Sequence, residues 1–146
     1  MGEQQLTNGH HTTSAPAPGV VRVMVCVGYN PVSQRLIQRA GQIASALGGE
    51  LLAVHIQPEE CDAPGYQAML EQNLALARKL GAQVVIARGA PLAQVLAQVA
   101  QVNGVTHIVM GESARSRWAE IRSGSLVRQI LRASRGIDVY IVADPA

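Results

Sequence analysis

Short apolar runs at residues 20–27, 51–56, 83–87, 105–110 and 139–142 alternate with segments whose apolar residues recur every three to four positions. That alternation constrains the fold more than any other feature. Near-continuous apolar runs such as Val23-Met24-Val25-Cys26-Val27 suit strands buried on both faces, which occur in parallel sheets covered by helices. The intervening segments supply those helices. Leu36, Ile37, Ala40, Ile43, Ala44 and Leu47 form one stripe with Ser33 near its start and Gly48-Gly49 at its end. Leu70, Leu74, Ala77 and Gly81 share a side of a helix over 67–80. Leu92, Val95, Leu96 and Val99 form the stripe after Pro91, which suits a first helical position. A last helix over 125–133 turns Leu126, Val127, Ile130 and Leu131 inward. The predicted fold class is α/β: a five-stranded parallel sheet with helices on both faces, Rossmann-like, joined by right-handed crossovers.

Composition agrees with one such domain. The chain has 146 residues, is 48% hydrophobic and lacks Phe, so Leu, Ile, Val and Ala must build the core. Residues 1–19, rich in Gln, Thr, Gly, His, Ser and Pro, read as a disordered tail, and 20–146 as the folded domain. No apolar run reaches the ~20 residues that cross a bilayer, and nothing resembles a signal peptide. Cys26 and Cys61 fit neither a disulfide framework nor zinc spacing, so a reducing cytoplasm is the expected setting and no metal is expected. The adjacent His10-His11 is a weak metal motif. His55 and His107, in apolar strands, read as core or strand-end histidines, and Cys26 as core.

Ligands of doubly wound sheets bind outside the carboxyl ends of the strands where strand order reverses. The loops after the first and fourth strands, residues 28–31 and 111–125, are therefore the candidates. In the second, Gly111 allows a sharp turn, and Ser123-Gly124-Ser125 opens a helix whose free N–H groups attract anions. Arg115, Arg117, Arg122, Arg128, Arg132 and Arg135 face only Glu112 and Glu120 between 111 and 135, which suits either a solvated face or an anion-binding surface. The net charge of +2 and the lack of a reading helix or aromatic platform argue against nucleic acid. No Gly-Lys-Ser/Thr phosphate loop, Gly-x-Ser-x-Gly elbow or Ser/His/Asp arrangement marks an enzyme.

Gly111-Glu-Ser-Ala114, nine further residues and then Gly124-Ser125 resemble the nucleotide signature of universal stress proteins. Val-Met-Val-Cys-Val at 23–27 and Gly-Glu-Ser-Ala-Arg-Ser-Arg-Trp at 111–118 are similar to the universal stress protein domain of Kdp-type potassium-sensor histidine kinases. The resemblance implies a regulatory, non-catalytic module that binds ATP or cyclic di-AMP and reports potassium or osmotic status. It implies contacts from Met110, Gly111, Ser113, Ala114, Gly124, Ser125 and Leu126. Gly28, Tyr29, Asn30 and Ile56 complete the candidate nucleotide-binding set, and Arg115 and Arg117 either clamp phosphates or form salt bridges on the surface. Two positions depart from the pattern. Ala114 replaces its second glycine, and Gly28-Tyr29-Asn30 lacks the aspartate that holds adenine in ATP-binding relatives, which favours an altered pocket with Tyr29 near the base. The resemblance also implies homodimerisation along the strand at 139–142, with a sensor kinase or transporter as partner. The alternative is a ligand-free scaffold that docks a protein through the Arg/Trp loop around Trp118. A slow ATPase or autophosphorylation at Ser113 or Ser125 is the remaining enzyme reading.

Overall fold

The computed structural model describes residues 3–5, 19–57, 65–111 and 126–143. Among them the order is β1 (Glu3–Gln5), β2 (Arg22–Cys26), α1 (Val32–Ala46), β3 (Glu50–Gln57), α2 (Tyr66–Lys79), β4 (Gln83–Arg88), α3 (Leu92–Val102), β5 (His107–Gly111), α4 (Leu126–Ala133) and β6 (Asp138–Val142). The strands form one sheet in the order β1-β4-β3-β2-β5-β6, and every pairing is parallel. The five expected strands are all present. Glu3–Gln5, inside the stretch read as a tail, adds a three-residue edge strand against Val84–Ile86.

Strand β2 is central. From it the chain builds outward through β3 and β4, then returns to place β5 and β6 on the other side. Successive side chains of a strand point to opposite faces. Val23 and Val25 therefore join Leu36, Ile37 and Ala40 of α1 and Leu70, Leu74 and Ala77 of α2 in one apolar layer. Met24 joins Leu96, Val99 and Ala100 of α3 and Ile130 of α4 in the other. Helices α1, α2 and α3 end alike. In α1, Gly49 N–H reaches the Ala44 carbonyl and Gly48 N–H the Ser45 carbonyl, with Gly48 at φ +66°, a left-handed cap that glycine adopts without strain.

Local expectations are corrected at four places. Leu47, expected on the apolar stripe of α1, lies just past the helix end and is 44% exposed. Leu131 was expected inside but is 49% exposed. Consecutive helical residues point about 100° apart, and α4 buries its Ile130 side instead. Pro91 precedes the first helical residue rather than occupying it, with extended backbone at ψ 153°. Gly111 ends β5 without a left-handed turn. Its need is spatial, because a Cβ there would meet Leu36 Cδ1 at 3.1 Å.

Candidate functional site

Strand order reverses between β2 and β5, so their carboxyl ends form the crevice where such folds take ligands. The register pairs Val25 with Val109, and the backbone emerges from the two strands as Gly28-Tyr29-Asn30 and at Gly111. Ile56 is at the end of β3, packed on the α3 side and half-buried. Met110 is 1% exposed with its side chain in the α3-side core, which leaves its backbone as the part able to meet a ligand. Residue 126 opens α4. Gly28, Tyr29, Asn30, Ile56, Met110 and Gly111 thus converge on the carboxyl end of the sheet. Ser113, Ala114, Arg115, Arg117, Trp118, Gly124 and Ser125 lie outside the described residues.

The loop after β2 is held from beneath by buried polar side chains. Gly28 N–H donates to Ser33 Oγ at 2.8 Å. Ser33, near the start of α1, therefore makes no helix cap: its oxygen serves the loop. Asn73 of α2, 0% exposed, donates from Nδ2 to the carbonyls of Gly28 at 2.9 Å and Asn30 at 3.1 Å. His55 Nδ1 lies 2.7 Å from the Val27 carbonyl, and its Nε2 lies 2.6 Å from the Tyr66 hydroxyl. A carbonyl only accepts, so Nδ1 carries the proton and the Tyr66 hydroxyl donates to Nε2. Burial of the imidazole holds His55 below its ordinary value, against the opposing hydrogen bond to Val27, and that agrees with a neutral ring. The Tyr29 ring packs on Tyr66 with centroids 4.7 Å apart and planes tilted by 49°.

His55 is thus a satisfied core histidine. His107 is a strand-end one, with Nδ1 2.7 Å from Thr106 Oγ1 and Nε2 3.5 Å from Asp138. The Cys26 thiol is pushed up to about 12 by burial, so it is a poor nucleophile. Sequence reasoning missed Asn73, Tyr66 and Ser33. The signal for Asn73 was present: it sits three residues after Leu70 and four before Ala77, a polar residue on an apolar stripe. Among the described residues no group of three or more His, Cys, Asp or Glu could hold a metal ion. No described helix is long and apolar enough to cross a membrane. A cavity of about 470 Å³ opens at the opposite, amino end of the sheet, between Arg22, Gly41, Glu50, Leu80 and Gln83.

Fold and crevice together define a doubly wound α/β domain of the kind that receives ligands at its switch point. Residues 20–143 match the model of the universal stress protein family, and the chain belongs to that family. It is 34% identical over 125 residues to the sensor protein KdpD of Mycobacterium tuberculosis, a match covering 86% of this chain and 14% of that protein. It is 30% identical over 124 residues to the putative sensor protein KdpD of Synechocystis, covering 84% of this chain and 34% of that one. The chain therefore spans a minor part of the curated relatives' length. Among solved structures, a universal stress protein in complex with cAMP superposes with a TM-score of 0.66 at 27% identity, covering 86% of this chain and 98% of the other.

Proposed function

We propose that this domain is a regulatory module that binds an adenine nucleotide, ATP or cyclic di-AMP, at the carboxyl ends of β2 and β5. The observation that carries this reading is the switch-point crevice, with the Gly28–Asn30 loop fixed on one wall and the Gly111 strand end on the other. The related structure with cAMP bound supports an adenine nucleotide. The match to KdpD sensors supports a signalling role tied to potassium or osmotic status in the cytoplasm, with a sensor kinase or transporter as partner. In this reading Ser113, Ser125, Arg115 and Arg117 take the phosphates, and Gly28, Tyr29, Asn30 and Ile56 border the base. The fit is to a nucleotide held without a carboxylate, since Asn30 and not aspartate follows β2. Self-association through β6 is part of the proposal, supported by its place at the sheet margin with Tyr140 and Ile141 each 40% exposed.

The test is thermal unfolding with ATP, AMP, cyclic AMP and cyclic di-AMP. A ligand present at a hundred times its Kd stabilises the native state by about 2.7 kcal/mol, a rise of several degrees in Tm. The paired Arg115→Ala and Ser125→Ala substitutions should remove that rise. No shift with any of the four nucleotides overturns the reading.

A further inference from the structure

The Gly28–Asn30 loop spends an unusual amount of buried polar chemistry on its own shape. The carbonyls of Val27, Gly28 and Asn30 are all engaged from below, by His55 and by both bonds of Asn73 Nδ2. Those last two belong to the residues before and after Tyr29, so a single amide ties down the Gly28–Tyr29 and Asn30–Pro31 peptides. The Tyr29 ring rests on Tyr66, whose own position is set by its hydroxyl bond to His55. Every one of these supports is buried: His55 at 3%, Tyr66 at 4% and Asn73 at 0% exposure.

Asn73 is an expensive choice for a helix stripe. Its Oδ1 is buried and has no hydrogen-bond partner among the described residues. An unsatisfied buried acceptor destabilises a fold by about 1–3 kcal/mol. What Asn73 returns is specific to the loop: its Nδ2 satisfies the Gly28 and Asn30 carbonyls, which an apolar side chain on the stripe of Leu70, Leu74 and Ala77 would leave without that donor.

We propose that Asn73 and Tyr66 of α2, with His55 of β3, are positioning residues of the nucleotide site. They hold the Gly28–Asn30 loop, and the Tyr29 ring within it, in the conformation that receives the base. The inference rests on the nucleotide reading above. It adds that affinity is set partly by residues that never touch the ligand. Loop order then acts as a fraction of binding-competent protein: if the competent fraction falls to about one-tenth, the apparent Kd rises about tenfold.

The experiment compares Asn73→Ala, Tyr66→Phe and Val99→Ala by isothermal titration with ATP, cyclic AMP and cyclic di-AMP, at a temperature where each variant is folded. Val99 is a fully buried residue of α3 on the opposite face of the sheet and serves as a destabilised control. Asn73→Ala is expected to weaken binding about tenfold, and Tyr66→Phe, which keeps the ring against Tyr29 and removes its hydroxyl, about threefold. Val99→Ala should lower the urea midpoint without moving Kd. Should Asn73→Ala fail to fold, Tyr66→Phe against Val99→Ala decides. A parent protein that binds, with Kd unchanged in both loop variants or weakened equally in the control, overturns the positioning role alone. A parent that binds none of the three nucleotides overturns this inference together with the nucleotide reading.

Discussion

The same three central strands are finished in opposite ways at their two ends. At the carboxyl end, buried neutral groups from α1, α2 and β3 grip the loop after β2. At the amino end, ionisable side chains meet in pairs whose acidic members reach toward solvent. Arg22 bridges Glu50 at 2.9 Å with 59% of the Glu50 side chain exposed, and its Nη1 donates to the Asn103 carbonyl at 2.8 Å. Thr106 Oγ1 accepts from Arg22 N–H, and His107 meets Asp138. An exposed ion pair changes energy little as its geometry drifts, whereas a buried hydrogen bond leaves an uncompensated group when broken. The contrast teaches where this fold is rigid: at the crevice, by shape, rather than at the base of the sheet, by charge.

Exchanging amide and acid at each end, Asn73→Asp in the crevice and Glu50→Gln at the base, puts the contrast under its hardest test. Asn73→Asp would aim a buried carboxylate at two carbonyl oxygens that now receive N–H donors. Uncompensated buried charge costs about 3–5 kcal/mol. Chemical denaturation should show a loss of that order, and the variant should recover stability as the pH falls and the new carboxyl takes a proton. A loss below about 1 kcal/mol would mean that the loop shifts freely and that the carboxyl end is no stiffer than the amino end.

The next effect in size comes from His55. Its folded value is held below the ordinary one of 6.5, so below that pH the unfolded chain binds a proton that the native state refuses. The contribution is fully present above pH 6.5 and is lost as the pH falls toward the folded value. One proton gives a slope of at most about 1.4 kcal/mol per pH unit. Stability profiles of the parent and His55→Gln should diverge in that window and run parallel above it. Parallel curves throughout would remove the buried neutral imidazole from the account.

How much of this was legible in the sequence differs by region for a physical reason. The strands and helices were readable because each buries a continuous run or a 3.6-residue stripe, and those patterns are local. Gly28 and Gly111 were also readable as special positions, but the reason given for Gly111 was a turn when it is the Leu36 side chain of another element. The grip on the loop was not readable, since Ser33, His55, Tyr66 and Asn73 come from three elements and meet only once the sheet assembles. A polar residue on an apolar stripe marked Asn73 as unusual without naming its partners. Leu131 was misplaced because it follows Ile130 directly: adjacent helical positions point about 100° apart, and it is Ile130 that faces the core.

The smallest expected effect falls at the amino end. Glu50→Gln removes the carboxylate opposite Arg22 and keeps the shape of the side chain. Arg22, with 11% of its side chain exposed, retains its bond to the Asn103 carbonyl, and the pair meets solvent through Glu50, 59% exposed. Pairs open to water are worth about 0–1 kcal/mol and are screened by salt. The variant should lose no more than that at low ionic strength, and the difference from the parent should close as salt rises toward about 1 M, where the Debye length is about 3 Å. Asn73→Asp, by contrast, should remain destabilised at high salt because its charge lies where ions do not reach. Equal salt responses at the two positions would break the distinction between a crevice ordered by buried hydrogen bonds and a base held by screened charge.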